Sequence, residues 1–208
     1  STTMVTSRIR DLKSNFFTRL KALSGSTPLK SLFIATIKNI RTGLISHLNS
    51  HKVHVDGEAY IPENFFAYIT IKSPLQEKAR NMIANNGGIL GWLRENNIEV
   101  IGKPSLEVTS WKVDKDSIVF NYRFPIIEKD TFPEHPRFKF KKSASVKAIK
   151  ATYYGNYRTS DRAWFSLYEY AKRQNIPIKP EPVEFFYDNP MLSDNELEWK
   201  AEIFMPLN

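Results

Sequence analysis

No cysteine occurs in the 208 residues, which removes disulfides, thiolate metal sites and a cysteine nucleophile from consideration. A run of about eighteen apolar residues is also missing, so no segment suits a helical membrane span. Glycine is sparse, at eight positions. The pair Gly87-Gly88 lacks the Lys-Ser/Thr that would reach phosphates and magnesium, so it is expected to break or bend a helix rather than cradle a nucleotide. Serine, histidine and aspartate are all present, yet no Gly-x-Ser-x-Gly turn offers a nucleophile. A recognisable DNA-binding domain is absent too. The chain opens at Ser1 without an initiator methionine or signal-like segment, and reads as a trimmed protein or a piece of a longer one. The expected compartment is the cytoplasm, which a cysteine-free chain fits.

Acidic residues are scarce only at the start. Residues 1–55 carry nine Lys/Arg against Asp11 alone, whereas the remainder holds twenty-one of each sign, so the net charge of +8 belongs to the N-terminal segment. That segment shows two apolar stripes at helical spacing, Ile9, Leu12, Phe16, Leu20, Leu23 and Phe33, Ile37, Ile40, Leu44, Leu48. Between them Ser24-Gly25-Ser26-Thr27-Pro28 supplies a stop, a cap and a first-turn proline. The pattern predicts a basic helical hairpin over 1–54. Basic helices suit phosphates, so nucleic acid is a partner only through this hairpin or a domain beyond this sequence. A helix-turn-helix would want shorter helices and a turn of about three or four residues. The preferred reading is therefore solvated basic faces over stripes packed on each other or on an upstream domain. His47, His51 and His54, with Asp56, would need one continuous helical face to bind a metal. Asn49-Ser50 stops the helix, and no metal is expected.

The rest of the chain repeats itself. An offset of 78 lays Asn97-Ile98 on Asn175-Ile176, Pro104 on Pro182 and Ile89/Trp92 on Leu167/Tyr170. The ends match at an offset of 81, Tyr122-Arg123-Phe124-Pro125-Ile126 with Ile203-Phe204-Met205-Pro206-Leu207, so the second copy has about three extra residues in its last hairpin. Each copy reads as strand, helix, strand, strand. In the first these are Phe65 to Lys72, Glu77 to Glu95, Ser105 to Trp111 and Ile118 to Phe124. In the second they are Ser145 to Ala151, a helix with Ala163, Trp164, Leu167, Tyr168 and Ala171 on one face, Val183 to Tyr187, and Trp199 to Met205. Tyr153 to Tyr157 is expected as a turn, and Glu128 to Lys142, with Pro133 and Pro136, as a linker. The expected fold is α+β, a pseudo-twofold duplication whose antiparallel sheets face each other around a cleft. Its domain is 55–208, with modules at about 60–127 and 143–208.

Residues 56–208 resemble the GyrI-like effector-binding domains, also found as C-terminal drug-sensing domains of bacterial multidrug-responsive regulators. The resemblance is carried by Tyr154-Gly155-Asn156-Tyr157, by the helix with Ala163-Trp164 and Leu167-Tyr168, by Pro182-Val183-Glu184-Phe185-Phe186, and by Glu202 to Leu207. It implies two modules whose sheets enclose a cleft, with aromatic walls and a buried glutamate for amphipathic, often cationic, small molecules. Pro28 to Asn49 also resembles the last helix of START-like (SRPBCC) domains, which would make Ser1 to Ile9 a leftover strand.

The residues themselves point the same way. Glu107, Glu184 and Glu202 interrupt apolar strands, where an unpaired carboxylate costs several kcal/mol to bury and must find a partner, a proton or a cation. Alternation puts Glu202 on a face with Phe204 and Glu184 on a face with Phe186. At the 81-residue offset Glu202 answers to Asn121, and a group needed only once suits a shared cleft better than a duplicated scaffold. The expected ligand contacts are Glu202, Glu184, Tyr154, Tyr157, Trp164, Tyr168, Phe186, Phe204, Trp92 and Trp111. No cofactor is implied. The expected function is binding of a cationic or amphipathic aromatic effector by a sensor or regulator-associated domain. Two other classes stay open. One is hydrolysis of strained electrophiles, with Glu202 and Tyr154 as base or nucleophile and proton donor. The other is a protein-interaction or inhibitor module.

Overall fold

The computed structural model describes residues 28–112, 116–190 and 192–208 and divides into two units, 1–49 and 50–208. In the first, helix α1 (Pro28–Asn49) starts at the proline expected to open it. Phe33, Ile37 and His47 are half-buried, and Ile40, Leu44 and Leu48 are exposed. The other helix of the expected hairpin and the Ser1 to Ile9 strand lie outside the described residues.

The second unit runs β1 (His51–Ile61), β2 (Asn64–Pro74), α2 (Lys78–Glu95), β3 (Ser105–Lys112), β4 (Ser117–Pro125), β5 (Phe138–Ser143), β6 (Val146–Gly155), α3 (Asp161–Gln174), β7 (Val183–Phe186) and β8 (Lys200–Pro206). All eight strands form one antiparallel sheet, ordered β1-β6-β8-β7-β3-β4-β2-β5. The duplication is written into that order. From the central β7/β3 pair outward, β8 and β6 on one side answer to β4 and β2 on the other. The two half-sheets of the α+β fold thus meet edge to edge at β3 and β7.

The equivalence extends to single hydrogen bonds. Each helix ends on an asparagine with left-handed backbone, Asn97 and Asn175, both at φ 54°. Each is followed by an isoleucine whose N–H reaches back to the helix, Ile98 to Leu93 and Ile176 to Ala171, both at 2.9 Å, in the Schellman manner. The N–H of Ile101 then bonds Pro125 and that of Lys179 bonds Pro206, again both at 2.9 Å.

Two strands were not legible as strands. β5 lies, all but its last residue, in the stretch expected to be a linker. Phe138 and Phe140 face one way, Lys139 and Lys141 the other, and the strand pairs with β2. β1 takes up His51 and His54, pairs with β6 and carries a bulge at Gly57, where φ is 97°. Each module's leading strand is therefore lent to the other module's edge. Tyr153-Tyr154-Gly155 ends β6 rather than forming a turn, because Lys52 and Lys200 flank Tyr154 on both sides of the ladder.

Both helices of this unit cover the same face of the sheet. Met82, Ile89 and Leu93 of α2 and Ala163, Trp164, Leu167 and Ala171 of α3 join Leu106, Phe120, Ile149 and Ile203 in one core. Gly87 and Gly88 lie within α2, which runs through them unbroken. The other face bears a smaller cluster, Ile61, Ala148, Val183 and Phe204 with Ala59 and Phe185, to which neither helix contributes.

Candidate ligand site

Strand register assigns each expected contact on a strand to a face, since directly opposed residues point the same way. Glu202 opposes Thr152 on β6 and Phe185 on β7, and Phe204 opposes Lys150 and Val183, so these lie on the face that bears neither α2 nor α3, the helix-free face of this unit. Tyr154, opposite Lys200, is on it too and is exposed. Glu184 opposes Leu106 and Ile203 on the helix-covered face. Tyr157, Trp164, Phe186 and Trp111 lie on that side too, all packed in or against the core. Trp92 packs against the same core, its ring tilted against those of His135, Phe138 and Phe140. Tyr168 is exposed on α3. The structure thus brings together Glu202, Phe204 and Tyr154, and puts Glu184 and the large aromatics behind the sheet.

Glu184 is wholly buried and fully answered. Lys78 Nζ, itself 0% exposed, donates to it at 2.8 Å and to Ser160 Oγ at 2.6 Å, and Ser160 Oγ donates to the second carboxylate oxygen at 2.7 Å. Lys78 also sits over the Trp164 ring, 4.7 Å from its centroid. The cation expected for this glutamate is a lysine of the first module.

On the helix-free face Glu202 accepts from Tyr187 Oη at 2.7 Å, Lys200 Nζ at 2.9 Å and Lys150 Nζ at 3.4 Å. Burial raises its carboxyl, but the hydrogen bonds from Tyr187 and Lys200 and the charges of Lys150 and Lys200 outweigh that and hold it below its ordinary range. Burial and the bond to Glu202 push the Tyr187 hydroxyl up to about 12. The hydroxyl that reaches Glu202 is Tyr187's, not Tyr154's.

The first module has its own row on this face, which the sequence showed only as Glu107. Thr70 donates to Asn121 Oδ1 at 2.8 Å, and Asn121 donates to Glu107 at 2.9 Å. Arg123 Nη1 lies 3.3 Å and Lys141 Nζ 3.0 Å from the same carboxylate. Burial raises Glu107 as well, but Arg123's charge and the bonds from Asn121 and Lys141 bring it below its ordinary range. Arg123 is 2% exposed, lies over the Phe66 ring at 4.3 Å and donates from Nε to Ser105 at 3.2 Å. Its signal in the sequence was a charge inside the apolar alternation of Ser117 to Pro125.

Among the described residues no group of three His, Cys, Asp or Glu is placed to hold a metal; His54 Nε2 stands 3.7 Å from Asp56 on β1. No described helix is long and apolar enough to cross a membrane. A hollow of about 400 Å³ lies beside the end of α2, lined by Leu90, Leu93, Arg94 and the turn after them; none of the expected contacts lines it.

The sequence model described as the GyrI-like small molecule binding domain matches residues 60–208. Among solved structures, the C-terminal domain of EcmrR superposes with a TM-score of 0.60 at 14% identity, over 76% of this chain and 98% of that one. EcmrR in its complex with DNA gives 0.61 at 13% identity, over 92% and 82%. A conserved protein from Listeria innocua gives 0.52 at 9%, over 76% and 92%. At these identities the likeness is one of fold. No curated protein sequence matches the chain.

Proposed function

The chain belongs to the GyrI-like family of small-molecule-binding domains, and from that premise we propose that it is an effector-binding unit whose ligand lies on the helix-free face of the sheet, across the β7/β3 junction. The observation that carries this is the composition of that face. An apolar floor, Phe185, Phe204 and Val183, sits between two hydrogen-bonded rows contributed by different modules, one at Glu202 and one at Glu107. The helix-covered face offers no comparable surface, because α2 and α3 fill it. An amphipathic aromatic molecule fits such a floor with a polar rim.

The role we infer is sensory, with the unit serving a transcription regulator. What supports it is the likeness in fold to EcmrR, both as a separate C-terminal domain and in a DNA complex. The cationic ligand expected from the sequence required an uncompensated carboxylate. Glu202 and Glu184 each have partners within the protein, so the sign of the ligand's charge must be argued from the whole face.

Titration of pyrenebutyramide, a neutral amphipathic aromatic, tests the location. Phe185→Ala should weaken binding about tenfold, or roughly 1.4 kcal/mol, while Tyr168→Ala on α3 should leave it unchanged. The opposite pattern would move the site to the helices.

A further inference from the structure

The inference concerns the ligand's chemical class and rests on the helix-free face being the site. Residues 56–208 are neutral as a whole, yet register concentrates one sign on this face. Strands β1 to β4 contribute Lys52, Lys72, Lys112 and Arg123 to it, and β5 to β8 contribute Lys139, Lys141, Lys150 and Lys200. Only three carboxylates of the strands oppose them. All three are engaged: Asp56 by Lys150 and the Thr152 hydroxyl, Glu107 by Arg123 and Lys141, and Glu202 by Lys150 and Lys200. Lys52, Lys72 and Lys139 have no ion pair among the described residues. A cationic ligand would have to displace a lysine from a carboxylate already satisfied. An anion meets an excess of positive charge.

A second observation is independent of the count. Arg123 Nη2 is buried and makes no hydrogen bond among the described residues, although Nε and Nη1 of the same guanidinium are bound to Ser105 and Glu107 on β3. These contacts and the Phe66 ring 4.3 Å away fix the guanidinium on this face, and Ser105 directly opposes Phe185 of β7. An arginine 2% exposed with an open donor stands beside the apolar floor. A buried donor without an acceptor is costly, and a carboxylate is the acceptor that a guanidinium binds best.

We propose that this face selects an anionic amphiphile, an aromatic carboxylate whose acid group takes the open N–H of Arg123 and whose ring rests on Phe185 and Phe204. The lysines around it raise the local concentration of anions and are screened by salt.

The test uses three fluorescent probes with one apolar body: pyrenebutyrate, pyrenebutyramide and a pyrenebutyl trimethylammonium salt. The carboxylate should bind at least about tenfold more tightly than the other two, and its affinity alone should fall as salt is raised. Arg123→Gln is made with Glu107→Gln so that no carboxylate is stranded, and its folding is checked by thermal melting. In that background the carboxylate should lose its advantage over the amide. If the double variant does not fold, the three-probe comparison on the unaltered protein decides. Equal affinities, or a preference for the ammonium, would overturn the proposal while Phe185→Ala still weakened all three, leaving the site where it was placed. If Phe185→Ala affects none of them, the location falls and this proposal with it.

Discussion

A buried charge is stable only with its partner, and Glu184 finds its cation in the opposite module. Lys78, Ser160 and Glu184 join α2, the start of α3 and β7 in one closed set of hydrogen bonds. Removing one member strands the other charge in the core. Glu184→Gln or Lys78→Met should lower stability by about 3–5 kcal/mol, whereas the pair Lys78→Met with Glu184→Leu should restore most of it, since both charges then leave together. Denaturant melts of the three variants check this. A second expectation follows from Glu107 and Glu202, whose folded carboxyls are held below their ordinary range. Such groups stabilise the fold above the unfolded carboxylate pKa of about 4.3, and that contribution is lost as pH falls through their lower folded values. Glu107→Gln should therefore flatten the acid limb of a stability-versus-pH curve. The glutamates were legible because a charge inside an apolar strand is conspicuous. Their partners were not, because Lys78 lies 106 positions from Glu184, and only the register of the sheet tells that Arg123 on the next strand faces Glu107.

At the scale of elements, the repeat made each helix and most strands readable, and the structure repeats its helix-ending asparagines and their hydrogen bonds at the same offset. What the pattern hid were β1 and β5. Their alternation is carried by lysine and histidine as much as by apolar residues, because they are edge strands and an edge is guarded by charge. Gly155 shows why the Tyr154-Gly155-Asn156-Tyr157 stretch is specific. Its φ is 149°, and an added Cβ would lie 2.6 Å from Tyr153 Oη and 2.8 Å from the His51 Cβ. The Tyr153 hydroxyl is fixed there by the Asn156 carbonyl at 2.9 Å and the Thr159 hydroxyl at 2.8 Å. Gly155→Ala thus meets both strain and collision, and thermal unfolding should show a loss of about 1–3 kcal/mol. A neutral result would mean that β6 ends without needing this backbone.

For the whole molecule, the basic N-terminal unit and the neutral duplicated domain call for separate accounts. Every described strand of the sheet lies within 50–208, so deleting residues 1–49 should leave affinity for a small aromatic ligand within about threefold, less than the 1.4 kcal/mol of a tenfold change. A larger loss would place part of the site in the basic unit. Sequence reasoning reached the fold because duplication and hydrophobic period are properties of the whole chain. It scattered the site because Glu184 and Glu202 look alike in sequence, and only the sheet's two sides tell them apart. The most direct measurement of the central claim is therefore one that reports which side a ligand touches. Nuclear Overhauser contacts between bound pyrenebutyrate and assigned aromatic rings should appear at Phe185, Phe204 and Tyr154 on the helix-free face. Contacts to Tyr168 and Trp92, with none to Phe185 or Phe204, would contradict it.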